Sequence, residues 1–276
     1  MRAVFVPNWY YPVSAADCAL IRSIGGDTIF AATATKDTEA SFENIPSSMV
    51  VIYQNGLCVS SRDWKPNADA IKDVKDRMAF IRKNARNFAG LVLVHEAHPD
   101  TPEFYAYLQD MVNWCHSLRP QLEPVLLCDN PASSENVRMM KLVGDRASVM
   151  AEIRHDLKCN TPSGLWLGAQ DARVNHFVQR RESLTANGRI LRSLDGLMYQ
   201  AGADFQLPLF TATEHAETLS DTTAMPSGWF NRLCLWTLPS YKKDGEFVTR
   251  GIVDMPDFQV MIAKAWNLWH FCRNWS

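Results

Sequence analysis

Glu96 ends the stretch GLVLVHEAHPD (90–100), in which aliphatic residues run straight into a histidine, a glutamate and a second histidine. Glu214 ends a second apolar stretch, FQLPLFTATEH (205–215). A carboxylate at the end of a buried run is either anchored structure or chemistry. Two carboxyls meeting across a cleft suit cleavage of a glycosidic bond, one protonated to donate to the leaving oxygen and the other ionised to attack or to stabilise the oxocarbenium-like centre. Their separation decides the outcome, about 5 Å giving retention and a wider gap inversion.

Positioning two such acids requires a scaffold that brings distant segments together. Short apolar runs alternate with segments of helical period along the whole chain, the signature of β/α units building a parallel sheet. Eight runs qualify: 3–9, 27–35, 49–56, 90–97, 124–131, 164–171, 205–215 and 232–240. Between them, residues 66–84 place Ile71, Val74, Met78 and Ile81 on one face, and 101–118 open with Thr101 as N-cap and Pro102 in the first turn. The chain closes with FQVMIAKAWNLWHFCRNW, an aromatic-rich amphipathic helix.

Eight strands with intervening helices in 276 residues match a single (β/α)8 TIM barrel of class α/β, one domain over 1–276. Over 132–163, SSENVRMMKLVGD and RASVMAEIRHDLKC read either as two helices or with VMAEI as a further strand that shifts the count. The first turn, NWYYPVS, has no glycine, and neither GxGxxG nor GxxxxGK[ST] occurs, which disfavours a dinucleotide or P-loop site. No cofactor is expected.

In such a barrel the site is assembled from the C-terminal strand ends. Those ends offer Trp9, Tyr53, Gln54, His95, Glu96, Asn130, Gln170, Asp171, Glu214, His215 and Trp236. Amides, carboxylates and flat rings in one mouth suit a carbohydrate, whose hydroxyls want paired hydrogen bonds and whose C–H faces stack on aromatic rings. Pleat alternation puts Val92, Val94 and Glu96 on one side of strand four. Glu214 lies at the exit of strand seven on a face that alternation leaves open, and Glu217 competes for its role.

Composition sets outer limits. Hydrophobic residues at 47% with 21% charged describe an ordered globular chain, and a formal net charge of -2 without a basic stripe gives no reason to expect nucleic acid. No apolar run reaches membrane-spanning length, and the N-terminus reads as a first strand and not an export signal, so the expected location is cytoplasmic, with release by a non-classical route as the alternative. Seven scattered cysteines without a CxxC pair read as buried thiols. Nothing in the sequence sets an oligomeric state.

With these residues in place, the chain resembles the clan A (β/α)8 glycoside hydrolases. The resemblance implies an acid/base glutamate ending strand four, a nucleophilic glutamate ending strand seven and an aromatic ending strand eight. Glu96 in LVLVHEAHPD, Glu214 in LFTATEHAE and Trp236 in CLWTLPS match those places, with His95 standing where the family usually has asparagine. A looser likeness to poorly characterised bacterial glycosidase-like barrels rests on the proline and EFY helix start after strand four and on Gln170–Asp171 in GLWLGAQDA. The resemblance implies a retaining glycoside hydrolase acting on an oligo- or polysaccharide, with Glu96 as general acid/base, Glu214 as nucleophile, and Trp9, Tyr53, Gln54, His95, Asn130, Gln170, Asp171, His215 and Trp236 around the sugar. Two rival readings remain: a metal-dependent hydrolase using His95, His98 and His215 with Asp129 or Asp171, and a barrel that binds carbohydrate without catalysis.

Overall fold

The structure, a computed structural model, describes residues 1–7, 11–32, 40–54, 65–84, 87–95, 100–128, 131–153, 177–201, 211–220, 225 and 228–273. Eight parallel strands close into a barrel. They are β1 (Arg2–Pro7), β2 (Thr28–Ala32), β3 (Val50–Gln54), β4 (Phe88–His95), β5 (Glu123–Cys128), β6 (Ser148–Ile153), β7 (Gly196–Gln200) and β8 (Leu233–Trp236). Each pairs with the next, and β8 closes onto β1 through Arg2 opposite Leu233 and Val4 opposite Leu235.

Alternation along these strands divides the core in two. Phe5, Phe30, Ile52, Val92, Leu127, Met150, Met198 and Cys234 fill the barrel interior. Their neighbours Val4, Val6, Ile29, Val51, Leu126, Val149, Leu197 and Leu235 face outward to the helices. Strands buried on both faces must be apolar throughout, which is why they read as continuous runs. Each fully buried large side chain contributes roughly 1.5–3 kcal/mol relative to exposure.

The helices cover that outer face: α1 (Ala15–Ser23), α2 (Ala68–Asn84), α3 (Pro102–Ser117), α4 (Ser134–Val143), α5 (177–185), α6 (Ala212–Ser220) and α7 (Pro256–Arg273). Local capping fixes their starts. Ser14 and Asp17 form a reciprocal capping box on α1, Thr101 accepts from Phe104 N at 3.2 Å on α3, and Ser133 accepts from Asn136 N at 3.2 Å on α4. In α7 the fully buried Trp266 donates its indole N–H to the Phe230 carbonyl at 3.1 Å, so this tryptophan packs and does not bind a ligand.

Six of the expected strand runs lie over β1–β5 and β8. Strands six and seven are corrected. The sixth is SVMAEI (148–153), containing the VMAEI alternative, while GLWLGAQD lies outside the described residues. The seventh is GLMYQ (196–200), and the run expected there continues instead into α6. GLMYQ is short, opens with glycine and lacks β-branched residues, so its strand is imposed by the barrel. A Cβ on Gly196 would lie 2.4 Å from the Arg232 carbonyl, which ties the glycine to the tight approach of β8. By contrast, TATEHAETLS is rich in good helix formers, and its Thr-x-x-Glu start is the sequence pattern of a capping box.

Candidate functional site

The C-terminal ends of β3, β4 and β6 bring three polar side chains together inside the barrel, above the apolar filling. Gln54 Nε2 is in short contact with His95 Nδ1. His95 Nε2 lies 3.7 Å from Glu152 Oε1, with the glutamate side chain 1% exposed and the imidazole 31% exposed. Glu152 is therefore a charge-capable group held beneath a histidine that faces the mouth. Across the barrel, the Trp236 ring packs on Phe5 at 5.5 Å between centroids, and Phe5 on Phe30 at 5.3 Å. The peptide bond that follows Trp236 is cis.

A bulge in β4 aims His95. Val92 pairs with Val125 and Val94 with Leu126, leaving Leu93 as the extra residue. Its carbonyl accepts instead from the Tyr107 hydroxyl of α3 at 2.9 Å. Bulges commonly redirect a side chain beside a functional site. Here the shift sends Val92 inward and both Leu93 and Val94 outward, after which His95 turns back inside. The expectation that Val92 and Val94 share a side is thus overturned, because simple alternation assumes an unbroken ladder.

Around this arc the remaining groups are fixed. The α5 residue Arg180 donates Nε to the Glu152 carbonyl at 3.2 Å, holding the end of β6. Burial, and then the negative charge of Glu152, push the Cys234 thiol up, so it stays protonated and inert. Cys128 is fully buried on the outer side of β5. At the rim, burial first and then a hydrogen bond donated to Asp17 at 2.9 Å raise the Tyr11 hydroxyl to about 12, keeping it neutral.

Of the residues expected at the mouth, the structure brings together Gln54, His95 and, on the opposite wall, Trp236. Glu96, Trp9, Asn130, Gln170 and Asp171 lie outside the described residues. Tyr53 is corrected: it is fully buried on the outer face of β3, its ring 6.1 Å from Phe42 and 5.9 Å from Phe88, because alternation turns Ile52 and Gln54 inward. His215 is corrected too. It is fully buried on α6, its Nδ1 2.6 Å from the Tyr199 hydroxyl and its ring 4.8 Å from Phe258, behind the barrel wall.

Glu214 and Glu217 do not end a strand. Both belong to α6, Glu214 in its first turn and Glu217 exposed further along. The residue that ends β7 is Gln200, in register with Trp236, and not the glutamate expected there. The metal reading loses its histidine set, since His215 sits behind the wall while both His95 ring nitrogens face protein groups.

Glu152 is a mouth residue that the strand ends expected from the sequence do not include. The sequence carried a signal for it: VMAEI is an apolar run interrupted by one carboxylate at an alternate position. Once β6 is placed there, Met150 and Glu152 share the inner face.

The class defined by these features is the single (β/α)8 barrel with a polar arc at its C-terminal mouth. No protein-family model matches the chain, and no curated protein matches it in sequence. Among solved structures it is similar to a beta-glucuronidase from an uncultured Clostridium species, at TM-score 0.62 and 13% identity over 96% of this chain and 50% of that one. It is also similar to a GH5-4 broad-specificity endoglucanase from Clostridium longisporum, at TM-score 0.58 and 12% identity over 95% and 88%. A third is the catalytic domain of a hyperthermophilic chitinase from Pyrococcus furiosus, at TM-score 0.56 and 10% identity over 98% and 96%. The chain spans about half the length of the glucuronidases it matches. At these identities the likeness is one of fold. Among the described residues, no helix is long and apolar enough to cross a membrane.

Proposed function

We propose that the protein is a glycoside hydrolase acting on an oligo- or polysaccharide at the C-terminal mouth of its barrel. The observation that carries this reading is the Gln54, His95 and Glu152 arc facing the same mouth as the Trp236 ring. Hydrogen-bonding groups opposite an aromatic wall suit a sugar ring. The fold likeness to a glucuronidase, an endoglucanase and a chitinase supports it.

In this reading Glu96, directly after His95, is the general acid/base that protonates the leaving oxygen. Glu152 orients His95 from below, and Trp236 bears the sugar face. A retaining scheme needs a second carboxylate across the mouth; Gln200 at the end of β7 does not supply it, and Glu214 on α6 is not assigned that part. A glutamine at the end of β7 favours a second reading, a barrel that binds carbohydrate without cleaving it.

The test is a screen of chromogenic glycosides and polysaccharides with the wild type beside Glu96→Gln and Glu214→Gln. A positioned general acid contributes about 10²–10⁴-fold, so Glu96→Gln should lose turnover on that scale while retaining ligand. Glu214→Gln should keep it. Full turnover in Glu96→Gln would remove the assignment, and binding without turnover in the wild type would establish the second reading.

A further inference from the structure

Between β8 and α7 the chain forms a hairpin, β9 (Tyr241–Lys243) and β10 (Glu246–Thr249), with Lys242 opposite Phe247 and Lys243 opposite Glu246. Asp244 and Gly245 make the turn at φ 53° and 86°, the left-handed pair that a tight two-residue hairpin requires. One end of the connection is fastened to β1 near the mouth, and the other end is fastened back onto the first. Leu238 N donates to the Phe5 carbonyl at 2.9 Å, and Ile252 N to the Thr237 carbonyl at 2.9 Å. Gly251 packs so closely that a Cβ there would lie 2.2 Å from the Pro239 carbonyl carbon. The hairpin therefore stands at the rim as a seated element.

Its two faces differ in charge. Strand alternation puts Lys243 and Glu246 together on one face, opposite charges at facing register positions. The other face carries Phe247, 37% exposed, with Lys242 Nζ 4.2 Å and Arg250 Cζ 4.6 Å from its ring centroid. Cations over an aromatic ring are held in place electrostatically. Among the described residues, Arg250 Nε is buried with no hydrogen-bond partner. A guanidinium and an ammonium held against a partly exposed ring form a surface for an anion borne on a stackable ring.

We propose that this face of the hairpin is a rim subsite for an anionic polysaccharide, its carboxylates taken by Lys242 and Arg250 and a sugar face lying against Phe247. The proposal rests on the carbohydrate reading of the mouth and names the substrate class for it. Uncharged glycans gain nothing from the two cations, and a rigid polyanion without accessible sugar faces gains nothing from Phe247.

Native affinity electrophoresis and calorimetry test this without turnover, using polygalacturonate, its fully methyl-esterified form and double-stranded DNA as probes. The wild type should bind polygalacturonate at least about tenfold more tightly than either of the others, a difference worth about 1.4 kcal/mol. Lys242→Gln/Arg250→Gln should lose that preference with its melting temperature unchanged, and Phe247→Ala should weaken binding about threefold, within the range of exposed cation–π contacts. Equal binding of the esterified polymer or of DNA, no binding of any probe, or an unaltered double variant would overturn the proposal. If the wild type binds polygalacturonate through the hairpin yet hydrolyses no glycoside, the hydrolase reading fails and the rim subsite stands.

Discussion

At the floor of the barrel Asp195 is fully buried and saturated, accepting from Val149 N at 2.6 Å and from both terminal nitrogens of Arg189 at 2.7 Å. At the mouth Glu152 is buried as deeply, and its carboxylate lies 3.7 Å from the imidazole of His95, which is itself 31% exposed. The rest of the floor follows Asp195. Arg192 donates to Glu123 Oε2 at 2.7 Å, Ser148 donates to Glu123 Oε1 at 2.7 Å, and the Arg2 backbone N–H donates to Asp27 at 2.8 Å. These groups tie the starts of β1, β5 and β6 to the segments preceding β2 and β7. A buried charge held by matched partners serves the closure of the ring. One set at the C-terminal strand ends, beneath a partly exposed imidazole, lies on the side of the barrel where ligands enter.

The sharpest way to break this contrast is at its two buried acids. Asp195→Ala leaves the Arg189 guanidinium, itself nearly buried, without its carboxylate. Removing one partner of a buried pair costs about 3–5 kcal/mol. Urea unfolding should show a loss of that size, with ligand affinity per folded molecule unchanged; a loss under about 1 kcal/mol would mean that the floor pairs do not secure the ring. Glu152→Gln should do the converse. Losing the orientation of His95 should lower kcat by about 10²-fold, the scale of a 1 Å misplacement, while KM and the unfolding midpoint hold. Equal loss in stability and turnover would make Glu152 one more structural acid.

How much of this was legible in the sequence depends on what each segment had to satisfy. Strands such as AVFVP and VLLC are buried on both faces, and that demand writes itself into continuous apolar runs. GLMYQ meets the same demand with so few residues that periodicity carries no signal, and only the ring's need for a seventh strand selects it. At the mouth the differences share a cause: nearness to an apolar run does not fix which way a residue faces or which element it joins. For Tyr53 the parity of Ile52 and Gln54 decided the face, and for Glu214 the Thr-x-x-Glu helix start outweighed the apolar residues ahead of it. His95 reached the interior through a bulge, which no alternation rule anticipates. The hairpin KKDGEF carried a plain Asp-Gly turn signal, but its flanks are too short and polar to stand out as strands.

A smaller effect sharpens the contrast through pH. Burial opposes the Asp27 carboxylate, but hydrogen bonds from Arg2 and Thr28, with the positive charges of the N-terminus and Arg2, hold it below its ordinary value of 3.8. Its folded form thus binds its proton less readily than its unfolded form. The stability it supplies is present above the ordinary value and is lost as pH falls through the lower, folded one. Thermal melts from pH 6 down to about pH 2 should therefore show an acid-side decline that Asp27→Asn flattens. An unchanged decline would assign acid sensitivity to other carboxylates.

The smallest expected change is at Glu214, and it separates the two ends of the argument most cleanly. In the first turn of α6 a carboxylate favours the helix N-terminus by about 0.3–1 kcal/mol, and His215 beside it anchors the turn to Tyr199 at 2.6 Å. Glu214→Ala should therefore cost no more than that in urea unfolding and leave turnover within about twofold, since 0.4 kcal/mol is a factor of two. A collapse of turnover at unchanged stability would place that carboxylate in the reaction despite its helix, and the mouth would then extend past β7 to include the start of α6.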